Sequence, residues 1–208
     1  RRHTRCSRDW SSDVALPISL LLDVKRGDID STADAYAHAY FHPSSPIRVD
    51  AITLSPYLGV QALKSSFELA ARQGCGIFVV VRSSNPEGEA LQTARMADGR
   101  MVWQTLSAEI SEFNRQLSQS AVGPIGAVVG ATCKDAGPVV EALPRSFILS
   151  PGIGAQGATM DDCRVRLAPA RGRILPNVSR ELLAGGGTAE AIGATIRRLN
   201  ADARSLLA

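Results

Sequence analysis

Short apolar runs alternate with helical patterns along most of the chain, and this alternation limits the possible folds more than any other feature of the sequence. Six runs have the length and composition of buried strands: 20–24, 49–54, 76–81, 125–130, 146–149 and 173–176. Amphipathic or mixed segments lie between them, and a last helix is predicted over 189–207. Strands that alternate with helices are typical of parallel βαβ units, so the sequence predicts an α/β protein.

Polar residues follow nearly every predicted strand, and they favour a barrel over a doubly wound sheet. The segments concerned are 23–25, 55–57, 83–86, 130–132, 150–152 and 177–180. A TIM (β/α)8 barrel builds its sites at the carboxyl ends of many strands, whereas a doubly wound sheet concentrates them near one switch point. Because a barrel needs eight strands and six are predicted, we expect an incomplete TIM barrel without its first two βα units.

Residues 1–19 differ from the rest of the chain because they show neither helical nor strand periodicity. Several arginines precede an apolar stretch, as in a signal peptide. However, Pro17 and Ser19 interrupt that stretch, and it runs directly into Asp23 without a small-residue cleavage site. We therefore expect 1–19 to be a non-native or unstructured leader, and 20–208 to be one barrel domain.

The composition suits one α/β domain with a substantial core, since 45% of the 208 residues are hydrophobic and 21% are charged. The net charge of +3 gives no electrostatic case for binding nucleic acid. No apolar run approaches the roughly 20 residues that span a bilayer. The four cysteines are scattered and form no Cys-x-x-Cys pair, which favours reduced thiols in the cytoplasm and argues against a structural zinc site.

A cluster of charges, Asp-Val-Lys-Arg-Gly-Asp at 23–28, ends the first predicted strand. Because side chains alternate along a strand, Asp23 and Lys25 are expected on the same side at its carboxyl end. The Lys25 ammonium, held between Asp23 and Asp28, can donate a proton to a carbanion formed beside it. A carboxylate near a substrate carboxylate disfavours the ground state relative to a transition state that loses CO2. The alternative is an ion pair with only a structural role.

A glycine-rich loop at 150–159, Ser-Pro-Gly-Ile-Gly-Ala-Gln-Gly-Ala-Thr, follows the fifth predicted strand. It can present backbone N–H groups and the Gln156 amide to an anion. Arg180 follows the next strand, where a guanidinium can bind a phosphate through two hydrogen bonds. Phosphate contacts after the last two strands recur in TIM barrels. The alternative, a flexible turn and a surface arginine, is disfavoured because the loop and Arg180 occur together.

These segments resemble the orotidine 5'-phosphate decarboxylases, and most closely their bacterial, mycobacterial-like branch. The residues that carry the resemblance are Asp-x-Lys-x-x-Asp-Ile at 23–29, Ser-Asn-Pro-Glu-Gly at 84–88, the loop at 150–159 and Asn-Val-Ser-Arg at 177–180. The resemblance implies decarboxylation of orotidine 5'-monophosphate to uridine 5'-monophosphate (UMP), the last step of de novo UMP biosynthesis. It implies no cofactor or metal, and a cytoplasmic homodimer whose active site is shared across the interface.

The resemblance also implies roles for the residues near the first strand. Lys25 matches the proton donor to C6 of the pyrimidine, and Asp23 matches the carboxylate that stresses the substrate carboxylate. Asp28, a third charged catalytic residue, is expected to reach across the dimer interface into the partner's site. Ile29 and Thr32 are expected to accompany it as substrate-binding residues.

Four further matches concern substrate binding. Ser84 matches the serine that contacts the pyrimidine, and Pro151 matches a residue that lines the pocket. Gln156 and Arg180 match the site of the 5'-phosphate. The family's remaining catalytic lysine and a ribose-binding aspartate precede the Asp-x-Lys motif, and nothing in 1–19 matches either of them. We therefore expect the activity of a complete parent protein, while the activity of this chain stays open.

Two alternatives remain at the level of sequence. Sugar-phosphate decarboxylases or aldolases of the same superfamily share an acidic-x-Lys-x-x-Asp core but use Mg²⁺. The Ser-Asn-Pro segment at 84–86 favours a pyrimidine ring instead. The other alternative is a non-catalytic remnant that binds a phosphate-containing ligand.

Overall fold

Six parallel strands form one sheet in the computed structural model, which describes residues 19–204 and 206. The strands are β1 (Leu21–Arg26), β2 (Ala51–Leu54), β3 (Gly76–Arg82), β4 (Ile125–Val129), β5 (Ile148–Ser150) and β6 (Ile174–Pro176). Their order in the sheet is their order in the chain, and every neighbouring pair is parallel. This order has no switch point, so it is that of a β/α barrel and not of a doubly wound sheet.

The predictions of an α/β protein and of the TIM-barrel family are therefore confirmed. Within the described residues, β1 and β6 form the two edges of an open, six-stranded part of a barrel. The expected leader falls almost entirely in 1–18, which lies outside the described residues, so that division of the chain stays a prediction.

Eight α-helices connect or follow these strands in the described part of the chain. They are α1 (Asp30–Phe41), α2 (Lys64–Gln73), α3 (Glu89–Gln92), α4 (Val102–Leu117), α5 (Ala136–Glu141), α6 (Met160–Arg166), α7 (Glu181–Ala184) and α8 (Ala189–Arg204). No helix in residues 19–204 is both long enough and apolar enough to cross a membrane.

Both faces of the sheet are buried, which explains why the middle strands are continuous apolar runs. On β3, Ile77 and Val79 belong to the larger cluster between the sheet and the helices. The intervening Phe78 points to the other face, where it packs with Val128 and Leu149. The packing of these two faces holds the carboxyl ends of the strands in a fixed arrangement, and the polar segments predicted from the sequence lie at those ends.

Candidate active site

The charged end of β1 is hydrogen-bonded to β2 through Thr53. Lys25 Nζ donates a hydrogen bond to one carboxylate oxygen of Asp23, with which it forms an ion pair. The hydroxyl of the fully buried Thr53 donates to the other oxygen over 2.8 Å. The same hydroxyl oxygen accepts the backbone N–H of Lys25 over 2.9 Å. The structure thus brings Asp23 and Lys25 together, as the strand alternation predicts, and adds a residue that the sequence analysis missed.

The backbone at Lys25 is irregular although it lies within β1. Its φ of 45° is in the left-handed region, which is uncommon for a residue with a side chain. The pairing of β1 with β2 shifts register between Leu22 and Arg26, so the strand bulges at the charged residues. Bulges next to active sites redirect a side chain, and a backbone in this region stores about 1–3 kcal/mol of strain. The bulge therefore marks the Asp23–Lys25 segment as a candidate active site.

The electrostatics of this cluster favour an ionised Asp23. Partial burial alone raises the pKa of its carboxyl group, but the hydrogen bonds from Lys25 and Thr53 and the Lys25 charge outweigh it. The pKa consequently lies below its usual value, since all three stabilise the anion. The side chains of Lys25 and Asp23 are 52% and 53% exposed, so a bound molecule can reach both charges.

Asp28, Ile29 and Thr32 lie at the connection from β1 to α1. One carboxylate oxygen of Asp28 accepts the backbone N–H of Ile29 over 2.9 Å. Ile29 is the N-cap of α1 and is 50% exposed, and Thr32 is exposed in the first turn of the same helix. Their exposure leaves Ile29 and Thr32 accessible to another chain. The expected place of all three residues in a shared active site stays a prediction.

Ser84 and Gln156 meet at the carboxyl ends of β3 and β5. The Ser84 hydroxyl donates to Gln156 Oε1 over 2.8 Å. Gly130, which follows β4, makes the approach possible, because a Cβ at that position would lie 2.7 Å from the Cα and Cβ of Ser84. The half-buried Pro151 accepts the backbone N–H of Ala131 over 2.9 Å. Two residues that the sequence assigned to separate parts of the substrate are therefore in direct contact.

The glycine-rich loop that follows β5 uses part of its backbone to hold its own shape. Within it, the N–H groups of Gly154, Gly157 and Ala158 donate to loop carbonyls over 2.8, 2.8 and 3.1 Å. The N–H groups of Ala155 and Gln156 make no hydrogen bond to another described residue. The N–H groups of Ala155 and Gln156, at the tip of the loop, therefore remain available to an anion, and the expected anion site stays a prediction.

A cavity of about 850 Å³ lies between this loop, the start of α7 and the end of α8. Two arginines line it, together with Gly154 and Ala155. Arg198 forms ion pairs with Glu181 over 2.6 Å and with Asp202 over 3.4 Å. The hydrogen bond that Arg198 donates to Glu181 raises the pKa of its guanidinium.

The other arginine of the cavity, Arg180, has neither a side-chain hydrogen bond nor an ion pair within the described residues. Its guanidinium is therefore available to an anion that enters beside the loop tip. Gln156 is bound to Ser84 and does not line this cavity. Gln156 and Arg180 were expected to bind the same phosphate, but they have different surroundings. Gln156 contacts Ser84, whereas Arg180 lines the cavity beside the loop tip.

Comparison with known proteins gives a consistent result. The Orotidine 5'-phosphate decarboxylase / HUMPS family model matches residues 14–194. The chain is 50% identical over 188 residues to the orotidine 5'-phosphate decarboxylase of Salinispora tropica, covering 90% of this chain and 66% of that protein. It is 43% identical over 189 residues to the protein of the same name from Myxococcus xanthus, with the same two shares.

A solved structure supports the same relationship. The crystal structure of a putative orotidine 5'-phosphate decarboxylase from Streptomyces avermitilis superposes with a TM-score of 0.81 at 39% identity. That match covers 90% of this chain and 65% of the other. The chain thus spans slightly less than two thirds of the length of these relatives.

Proposed function

The chain belongs to the orotidine 5'-phosphate decarboxylase / HUMPS family, and from this premise we propose that the protein converts orotidine 5'-monophosphate to UMP. The observation that carries the proposal is the accessible Asp23–Lys25 pair, bound to Thr53 at the carboxyl end of β1. Decarboxylation is favoured by an anion that destabilises the substrate carboxylate and needs an acid that protonates the carbanion. The Asp23 carboxylate and the Lys25 ammonium can supply these two groups.

The chemical step uses the two charges in sequence. The bond between C6 of the pyrimidine and the carboxylate carbon breaks, CO2 leaves, and the electron pair stays on C6. The Lys25 ammonium then delivers a proton to C6, which completes UMP. The Asp23 anion faces the substrate carboxylate before the bond breaks, and this repulsion disappears as the carboxylate becomes neutral CO2. Asp28 is proposed as the third catalytic charge.

The pyrimidine ring and the phosphate are proposed to bind beyond the carboxyl ends of β3, β5 and β6, at the same end of the sheet as the Asp23–Lys25 pair. Ser84 is assigned to the pyrimidine and Pro151 to the wall of its pocket. The Gln156 carbonyl oxygen is engaged by Ser84, while the amide nitrogen has no partner among the described residues and can donate to phosphate. Arg180 is assigned to the phosphate because it lines the cavity beside the loop tip and its guanidinium is unpaired within the described chain.

We further propose a cytoplasmic homodimer that needs no cofactor. Ile29 is a large apolar side chain that is half exposed at the edge of the proposed site, and burying it against a partner is favourable. Its neighbours Asp28 and Thr32 would then reach the partner's substrate.

Turnover of orotidine 5'-monophosphate by the purified protein tests this proposal. Lys25→Ala is expected to lower kcat by about 10²–10⁴-fold, the contribution that is typical of general-acid catalysis. UMP binding should be largely retained in that variant. Lys64→Ala is the matched control, since Lys64 lies on α2 and its exposed side chain only approaches Glu68. Comparable kcat in the Lys25 variant, or turnover abolished by EDTA, would contradict the assignment.

A further inference from the structure

Arg82, the last residue of β3, is a buried charge two residues before Ser84. Its side chain is 5% exposed and its Nε donates to both oxygens of Asp135, over 3.0 and 3.1 Å. Glu89 on α3 lies 3.8 Å from the same guanidinium. A buried arginine with paired carboxylates is held in one position, because separating the charges leaves one of them uncompensated. The sequence analysis missed Arg82 because it ends an apolar run.

Gln92 connects this buried charge to the segment that carries Ser84. Its carbonyl oxygen accepts the backbone N–H of Ser83 over 3.0 Å and Arg82 Nη1 over 3.3 Å. Its amide nitrogen donates to the Ser83 hydroxyl over 2.7 Å. A single side chain on α3 thus binds both the backbone and the side chain of the residue that precedes Ser84.

The loop after β4 holds the same segment from the other side. Cys133 Sγ donates to the Ser83 carbonyl over 3.2 Å, and the Thr132 hydroxyl donates to the Ser84 carbonyl over 3.4 Å. The only Ser84 side-chain hydrogen bond within the described residues is the one to Gln156. The network therefore restrains the backbone of Ser83 and Ser84 while it leaves the Ser84 hydroxyl directed into the candidate site.

We propose that Gln92 is a positioning residue for Ser84, and that the Arg82–Asp135 ion pair holds Gln92 in place. Gln92 does not touch substrate in this proposal. It sets the direction of the Ser84 hydroxyl by binding Ser83 at two atoms, and so it affects recognition of the pyrimidine ring and not of the phosphate. The inference rests on the proposed function, because the contact of Ser84 with the ring belongs to it.

Binding of two ligands by the full chain tests this selectivity. Gln92→Leu should weaken binding of UMP roughly 10-fold, since two hydrogen bonds that position Ser84 are lost. Ribose 5-phosphate has no pyrimidine ring, so its dissociation constant should change less than about 2-fold. Gln92→Glu keeps the acceptor for Ser83 and Arg82 and should recover most of the UMP affinity. Gln116→Leu, a matched change of a glutamine on the exposed face of α4, should affect neither ligand. Equal weakening for both ligands in Gln92→Leu overturns the proposal.

Amide hydrogen exchange tests the positioning directly and needs no ligand. The Ser83 N–H loses its acceptor in Gln92→Leu, so it should exchange at least about 10-fold faster, while the Ile125 N–H, bound to Asn114, should not change. If the unmodified chain binds neither UMP nor ribose 5-phosphate, the proposed function is wrong for this chain, and the exchange result alone decides the role of Gln92. Equal Ser83 exchange in both proteins overturns that role.

Discussion

Thr53 and Asp23, on neighbouring strands, are joined by a 2.8 Å hydrogen bond from a fully buried hydroxyl to a half-exposed carboxylate. The Thr53 oxygen also accepts the backbone N–H of Lys25, at the bulge where the φ of Lys25 is 45°. A single hydroxyl on β2 therefore orients the carboxylate and holds the irregular backbone that carries the ammonium. We infer that the proposed catalytic pair depends on a residue that carries no charge.

Thr53→Val tests this dependence because it removes the hydroxyl while it keeps the shape of the side chain. The Lys25 N–H is left without its acceptor and Asp23 loses one of its donors, so stability should fall by about 1–3 kcal/mol. In a protein that turns over orotidine 5'-monophosphate, this change should also decrease kcat. Chemical denaturation and steady-state kinetics give the two values.

Thr105→Val is the matched control for that change. The Thr105 hydroxyl on α4 is buried and has no hydrogen-bond partner within the described residues. Its replacement should leave stability unchanged or raise it slightly, because no bond is lost. If both valine variants lose the same stability, then the loss reflects the substitution itself and not the Asp23 contact.

Asp23 should make the stability of the fold depend on pH. Its pKa is lower in the folded chain than in the unfolded one, so the unfolded state binds its proton first as the pH falls. The contribution is complete above the usual aspartate pKa of about 3.9 and is lost as the pH falls through the lower, folded value. The free energy of unfolding of the unmodified chain should therefore exceed that of Asp23→Asn near neutral pH, and the difference should shrink below about pH 4. A difference that grows on acidification would contradict the assigned direction.

The end of the sheet opposite the candidate site should contribute to the stability of the fold without affecting ligand binding. Asn114 is fully buried on α4, and its amide nitrogen donates to the Ile125 carbonyl over 2.7 Å and to Ser146 Oγ over 3.0 Å. Asn114→Ala leaves these buried groups unpaired, so we expect a loss of about 2–4 kcal/mol. UMP binding by the remaining folded protein should be unchanged. Asn200→Ala, at an exposed position of α8, should be neutral for both measurements.

The regular parts of this fold were predictable because their residues obey local rules. Strand β3 was predicted over 76–81 and is Gly76–Arg82, since a strand buried on both faces is a continuous apolar run. Strand β1 was predicted to end at 24, but it continues to Arg26 through a bulge. At that bulge Thr53 accepts the Lys25 N–H and donates to Asp23, a contact that spans 30 positions in the sequence and leaves no local signal.

The glycine-rich loop at the candidate site shows the same limit of prediction from the sequence. Its composition predicted an anion site formed by backbone N–H groups and the Gln156 amide, yet three of its N–H groups bind loop carbonyls. Gln156 faces Ser84, which is 72 positions away in the sequence, and not the cavity that Arg180 lines. The resemblance to the family proposed roles for these residues, but the sequence could not predict which of them contact each other.

Arg180 should provide binding energy through the phosphate, remote from the bond that breaks. In the active protein, Arg180→Ala should lower kcat/KM for orotidine 5'-monophosphate by about 10³-fold, because truncating one partner of a desolvated charged pair costs about 2–5 kcal/mol. Arg171→Ala is the matched control, since Arg171 is exposed and has no side-chain ion pair within the described chain. The decisive comparison is with orotidine, which lacks the phosphate. For this substrate the loss of kcat/KM in Arg180→Ala should be less than about 10-fold. The reason is that binding energy from the phosphate is no longer available to hold the loop and lower the barrier. Equal losses for both substrates would show that Arg180 supports the fold or the ring site, and its assignment to the phosphate would then be wrong.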